Sequence, residues 1–352
     1  MSKVWAIGLV VIALGVAVAF VVLEPRVAAP QLAGVPLAEV PCCVICTPVG
    51  TTTQVPVATS TPSIAKTPTR TVSPVEIRCS MKKGVSTGTL SGVAEGTDML
   101  YRAGVSWFYD WTTGSNDDWA ISKASGIEFV PMLRVELELH KTQILHIINA
   151  RGYRGYWLIG NEPNNSRPAG DQLNFAEAAE AYGKILYYIR GFDPTAKFIL
   201  PGLVESSSWW IRKLSDAWLA RWGELPPVAG WSVHLYAVPK SGETIGAARD
   251  RLLNNLKGFI NDHPGKEIWV TEFGELLTKN RQIISETMVR FGNAMELMGV
   301  DRYAFFWLGS VDNRDWDYTS LYEWRDEMFW ETPLLTTYAL VVPTVEIEEP
   351  CE

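Results

Sequence analysis

The chain is short of basic clusters, of cofactor signatures and of cysteine. It carries 31 Lys and Arg against 39 Asp and Glu, a net charge of −8, with a pI near 5.2. No basic block interrupts that acidic balance, which excludes nucleic acid as the expected partner. The glycines of "GVSTGTLSG" (84–92) form a loose cluster and not the G-x-G-x-x-G of a dinucleotide site. "DNRDWD" (312–317) lacks the glycine and terminal Glu of a helix–loop–helix calcium loop and reads as a substrate-side loop. Cysteine is confined to Cys42, Cys43, Cys46, Cys79 and Cys351. A zinc knuckle on "CCVIC" would need a fourth ligand, and none is near in sequence. The expectation is therefore no metal and no cofactor.

The long apolar run is at the N-terminus. Residues 4–23, "VWAIGLVVIALGVAVAFVVL", carry no charge. At 1.5 Å per residue they reach about 30 Å, the thickness of a bilayer core. An uncleaved single-pass anchor over 1–25 is one reading; a signal peptide cut near Val27–Ala29 is the other. Lys3 favours the N-terminus inside. Either way the rest of the chain is exported, membrane-bound or secreted. Outside the cytosol, disulfides are the default state of the cysteines. The odd count leaves one thiol free or paired between chains, and Cys79 with Cys351 is a candidate pair. Residues 26–79 form a tether rich in Thr, Ser and Pro, without apolar periodicity and unable to bury a core. Residues 80–342 form the folded domain, and 343–352 an acidic tail.

Within 80–342, short apolar runs alternate with helix-like segments. The strand candidates are 82–86, 105–111, 127–135, 156–163, 197–204, 230–237, 267–274 and 302–309. The clearest helical periodicity lies at 171–192 and 285–299. Eight strands alternating with helices predict an α/β fold, most simply a closed (β/α)8 TIM barrel; a doubly wound open sheet is the alternative.

In such a barrel the site sits at the C-terminal ends of the strands. The fourth strand runs into "GNEPNN" and delivers Glu162; the seventh, "EIWVTEFG", delivers Glu272. Two glutamates on one rim suit glycosidic hydrolysis. One carboxylic acid protonates the leaving oxygen, while a carboxylate attacks or stabilises the anomeric carbon. Two carboxyl groups sharing a pocket separate in proton affinity, which divides the roles. Strict alternation would put Asn161 and Glu162 on opposite faces, so both reach the pocket only if the strand end bulges or turns. In "GWSVHLYA", Gly230, Ser232, His234 and Tyr236 share one face and Trp231, Val233 and Leu235 the other. An inward His satisfied by core hydrogen bonds is the plain alternative to a functional one.

"GNEPN" and "WVTEFG" at these strand ends resemble the signatures of clan A retaining glycoside hydrolases. "VHLY" and "RYAFFW" are most similar to the family 128 endo-β-1,3-glucanases within that clan. The resemblance implies that Glu162 is the acid/base, Glu272 the nucleophile and Asn161 a hydrogen-bond partner of the sugar 2-hydroxyl. It further implies that His234 contacts substrate, Tyr236 orients Glu272 and Trp307 lies under the sugar at the cleavage point.

Of the 15 tryptophans, only Trp5 lies outside the domain. Trp107 and Trp111 around the second strand, and Trp316 beyond the eighth, are candidate sugar platforms, with core packing as the alternative. Arg134 ends the third strand as a sugar-hydroxyl ligand or half of a rim ion pair. Asn164-Asn165-Ser166 matches the glycosylation pattern, but a glycan there would obstruct the pocket. The expected protein is a membrane-tethered extracellular, endo-acting glycoside hydrolase with a monomeric domain, cleaving β-linked polysaccharide with β-glucan favoured. The rival is a catalytically silent carbohydrate-binding surface protein on the same scaffold.

Overall fold

The computed structural model describes residues 80–166, 170–312 and 316–341. The expected anchor, the tether, all five cysteines, the acidic tail and residues 313–315 of the acidic loop lie outside them. Among the described residues no helix is long and apolar enough to cross a membrane.

All eight expected strand regions form strands. They are β1 (Lys83–Ser86), β2 (Trp107–Tyr109), β3 (Glu128–Phe129), β4 (Met132–Leu133), β5 (Tyr156–Ile159), β6 (Lys197–Val204), β7 (Gly230–Tyr236), β8 (Glu267–Gly274) and β9 (Arg302–Phe305). Helices α1 (Val93–Ala103), α2 (Asn116–Ser125), α3 (Leu137–Leu145), α4 (Phe175–Phe192), α5 (Ser208–Trp222), α6 (Ile245–Asp262), α7 (Arg281–Leu297) and α8 (Pro333–Ala339) follow them. A hairpin, β10 (Tyr322–Arg325) and β11 (Met328–Glu331), precedes α8.

The nine segments form one curled sheet, ordered β3-β2-β1-β9-β8-β7-β6-β5-β4, with every neighbouring pair parallel. Its two edges, β3 and β4, are consecutive pieces of the third expected strand. The strand breaks at Pro131, which has no N–H to give to a ladder. Before the break Val130 N–H donates to Phe108 O (2.9 Å), and after it Leu158 N–H donates to Pro131 O (3.0 Å). One strand therefore pairs with β2 through its first half and with β5 through its second.

Two apolar layers follow from strand alternation. The outer layer, between sheet and helices, includes Phe108, Ile159, Val233, Leu235, Val270 and Phe273. The face of α4 that meets it repeats at three- and four-residue spacing through Ala178, Tyr182, Ile185 and Ile189. The start of α4 is set by Asn174, whose side chain accepts from Ala176 N and Glu177 N in a reciprocal cap. The inner layer holds Trp107, Tyr109, Val130, Met132, Leu158, Ile199, Trp269 and Ala304. At the N-terminal ends of the strands, Arg302 pairs with Glu128 (2.6 Å) and lies over Tyr156 and Trp269. Tyr156 in turn donates to Glu267 (2.7 Å). That end of the interior is thus filled by aromatic rings under an ionic seal, and the polar site lies at the other.

Candidate active site

Glu162 reaches the site because β5 stops at Ile159 and the backbone turns. Gly160 has φ of 87° and Glu162 of 46°. Gly160 has to be glycine twice over: φ is left-handed, and a Cβ would lie 2.4 Å from the Tyr182 ring. Glu162 occupies the same region at a cost of order 1–2 kcal/mol, so its surroundings must hold it there. They do: Glu162 N–H donates to Gly202 O (2.7 Å) and Asp171 N–H to Asn161 O (2.8 Å). The Asp171 carboxylate accepts Asn161 N–H (2.7 Å), Tyr182 O–H (2.7 Å) and Arg134 Nε–H (2.7 Å). The turn breaks alternation, and Asn161 and Glu162 are both buried, at 6% and 7% exposure.

Glu272 arrives by a different irregularity. Val270 and Phe273, three apart, both belong to the outer layer, where regular alternation would separate them. The β8–β9 register shifts between them. Thr271 and Glu272 occupy this bulge. Tyr109, rising from β2, donates its hydroxyl to Thr271 O (2.9 Å).

Between the two carboxylates stands His234 of β7, with no solvent exposure. Its Nδ1 is 2.8 Å from Glu162 Oε1 and 3.4 Å from Glu272 Oε2. Its Nε2 faces the bare Cα of Gly202 and has no hydrogen-bond partner among the described residues. An N–H on Nδ1 is the tautomer this geometry asks for. Burial pulls the imidazole pKa down, but the Glu272 charge and the Glu162 hydrogen bond and charge outweigh it and leave it above its ordinary value.

Every carboxylate oxygen meets a donor. Glu272 Oε1 accepts Trp111 Nε1–H (2.7 Å) and Tyr109 O–H (3.3 Å), and Oε2 accepts Tyr236 O–H (2.5 Å). Glu162 Oε2 accepts Asn165 Nδ2–H (2.6 Å). Burial, reinforced by the Glu272 charge, pushes both phenols well above their ordinary pKa, so they remain donors. Glu162, His234 and Glu272 also bring three metal-type donor atoms within 4.8 Å of one another. The indole and phenol groups around Glu272 donate hydrogen bonds and ligate no cation as they stand. The cluster fits a donor-held carboxylate pair better than a metal centre.

Among the other expected residues, Tyr236 and Trp111 touch Glu272. Trp307 is 2% exposed and stacks on Phe306 (5.7 Å, 14°); the peptide between these two is cis. Trp316 meets Phe306 edge-on at 5.8 Å and accepts the Trp307 indole N–H at its carbonyl (3.3 Å). Trp107 is a correction. It has no exposed surface, packs between Tyr109 and Trp269 and donates Nε1–H to Lys82 O, so it plugs the interior and offers no face to a sugar. Arg134 takes the ion-pair alternative: its Nε meets Asp171 (2.7 Å), which fixes the turn before Glu162. His234 is the second correction. It lies buried between the carboxylates and presents no surface for the substrate contact expected of it.

Asn165, Asp171 and Gly202 were not singled out by sequence. Asn165 lay inside the glycosylation pattern, where the amide of Asn164 is engaged at both ends by Val204 (3.0 Å each). Asp171 stands at the start of the predicted helix, and Gly202 inside an ordinary apolar strand.

The chain is similar to the family 128 (subgroup II) endo-β-1,3-glucanase of Sorangium cellulosum, with 22% identity and a TM-score of 0.58 over 75% of this chain and 99% of that one. It is also similar to a mutant of the subgroup I endo-β-1,3-glucanase of Amycolatopsis mediterranei, solved with laminaripentaose: 21% identity, TM-score 0.54, over 75% of this chain and 100% of that one. The subgroup VI exo-β-1,3-glucanase of Aureobasidium namibiae matches at 18% identity and TM-score 0.52, over 74% and 96%. These likenesses concern the fold. Among curated proteins none matches this chain. The family model described as the glycosyl hydrolase catalytic core matches residues 91–326 of the 352, and the chain belongs to that family.

Proposed function

We propose that the domain hydrolyses β-glucan, with β-1,3-linked chains as the substrate class, by a retaining mechanism on a closed eight-stranded barrel whose third strand is split at Pro131. The observation that carries this reading is the buried pair Glu162 and Glu272. Both hydrogen-bond range contacts of His234 Nδ1 are to this pair, and one oxygen from each lies within 4.8 Å of the other. Retaining enzymes hold their carboxyl groups about 5–5.5 Å apart, and inverting ones about 6.5–9.5 Å, to admit a water. The close pair supports retention.

Glu272 attacks the anomeric carbon as its C–O bond breaks, and the Glu162 proton passes to the leaving oxygen. Glu162, now a carboxylate, takes a proton from water. That water attacks the anomeric carbon and expels Glu272 from the ester. The three donors on Glu272 aim its oxygens and stabilise the charge it regains when the ester breaks. Trp111 and Trp316, both partly exposed, stand on the same mouth to take the sugar faces, whereas Trp307 is buried against Phe306. The three solved structures named above are β-1,3-glucanases, which supports the linkage. Endo action, export, an N-terminal anchor and a domain spanning 80–342 belong to the same reading.

Reducing-sugar release by the full chain on β-1,3-glucan, xylan, mannan and cellulose tests it. Activity confined to β-1,3-glucan supports the proposal. Turnover of xylan or mannan alone removes the β-glucan assignment, and binding without turnover of any glycan favours the silent binder.

A further inference from the structure

The first turn of α5 carries two adjacent tryptophans with opposite surroundings. Trp210 is 5% exposed, while Trp209 is 55% exposed. Phe175, the first residue of α4, touches both: Trp210 at 5.4 Å and Trp209 at 5.3 Å with the rings at 81°. Among the described residues no other ring contacts Trp209, so at least one indole face is open to water. Its backbone is anchored. Ser207 caps the helix by accepting Trp210 N–H (3.3 Å). Two residues earlier Glu205, at φ of 59°, donates its N–H to His234 O (3.1 Å).

These contacts put Trp209 on the mouth that holds the carboxylates. Phe175 ends the segment that begins at Glu162, and Glu205 starts the segment after β6, hydrogen-bonded to the strand of His234. Trp209 lies four residues beyond Glu205, a span of at most about 13 Å. Among the described residues Trp209 is the most exposed tryptophan. A half-bare indole beside a glycan-cleaving pair has the chemistry of a platform for the apolar C–H face of a pyranose ring.

We propose that Trp209 is an outlying sugar-binding platform, on the Glu162 side of the cleft, that takes a glucosyl unit remote from the bond being cleaved. It rests on the β-glucan reading above. The test compares full-length wild type, Trp209→Ala and Trp209→Phe on polymeric β-1,3-glucan and on an aryl β-glucoside too short to reach α5. Retention of each protein in gels containing soluble β-1,3-glucan is measured alongside. Trp209→Ala should raise KM on the polymer about five- to tenfold, as the loss of one stacked ring implies. Its kcat should stay within twofold, its short-substrate kinetics and melting temperature should not change, and its gel retention should fall. Trp209→Phe should restore part of the loss. Unchanged polymer KM and gel retention in Trp209→Ala, or equal losses on both substrates, would overturn the platform alone. A wild type that neither cleaves nor is retarded by β-1,3-glucan overturns the functional reading, and the platform with it.

Discussion

Gly202 leaves the space that the His234 ring occupies: a Cβ on Gly202 would stand 2.4 Å from His234 Nε2. The glycine is needed for room and not for backbone freedom. The far side of the ring meets the two carboxylates, so it cannot retreat. Gly202→Ala should therefore push His234 against Glu162 and Glu272 and cut kcat/KM at least tenfold, while the fold still melts cooperatively. Activity within twofold of wild type would mean that the position of His234 is not critical.

Tyr236→Phe removes one donor from Glu272 and nothing else of comparable size. A hydrogen bond to a charged group is worth about 1.5–3 kcal/mol. In the proposed mechanism this interaction strengthens as charge returns to Glu272 in the transition state for breaking the ester. The expected result is a kcat lowered roughly 10- to 100-fold with KM nearly unchanged. Because the phenol is held well above its ordinary pKa, the wild-type pH profile should carry no limb belonging to Tyr236. A loss seen only in KM would assign Tyr236 to substrate binding instead.

Asp110, at the end of β2, makes a stability prediction away from the carboxylate pair. Burial, with the Asp118 charge added, pushes it from 3.8 up to about 6 despite hydrogen bonds from Thr112. Between those values the folded state binds more protons than the unfolded one, so stability falls as pH rises from about 4 to 6 and stays lower above. Asp110→Asn can still accept the Thr112 N–H bond and removes the titration. It should stabilise the domain at pH 7 by about 1 kcal/mol, the full shift being discounted for partial exposure, and should not do so at pH 4. Equal melting-temperature changes at both pH values would contradict this.

Much of this organisation was legible in the sequence, because a buried parallel strand is a short apolar run and a helix a three-to-four-residue repeat. The turn at Asn161 and Glu162 was legible as a requirement, since regular alternation would have put them on opposite faces; Gly160 and the Asp171 bonds supply it. Face was readable where height was not. Trp107, Tyr109 and Trp111 share a face, but four residues of strand span about 13 Å, so Trp107 is deep in the interior while Trp111 reaches Glu272. The partnership of Arg134 with Asp171 joins positions 37 apart, across a loop whose path no local pattern dictates. The bulge at Thr271 and Glu272 appears only as register shifts against both neighbours, β7 and β9. That bulge brings Glu272 within reach of His234, so the role of His234 could not be read from its strand alone.

Chemical rescue separates the roles proposed for the two glutamates. Glu162→Ala should lose turnover of glucan by several orders of magnitude but retain the first step on aryl β-glucosides, whose leaving groups need no proton. Azide should then restore turnover in part and give the β-glucosyl azide. Glu272→Ala should show no such rescue toward a β-product. Rescue with the two variants exchanged would invert the assignment.

The central claim is that the close pair, Glu162 and Glu272, cleaves through a covalent glycosyl ester and so retains configuration. Proton NMR of the anomeric region, recorded during the first minutes of β-1,3-glucan hydrolysis and before mutarotation, tests it most directly. The account predicts that the β-anomer of the new reducing end appears first and the α-anomer grows in later. An α-anomer formed first would contradict both the retaining mechanism and the role given to Glu272.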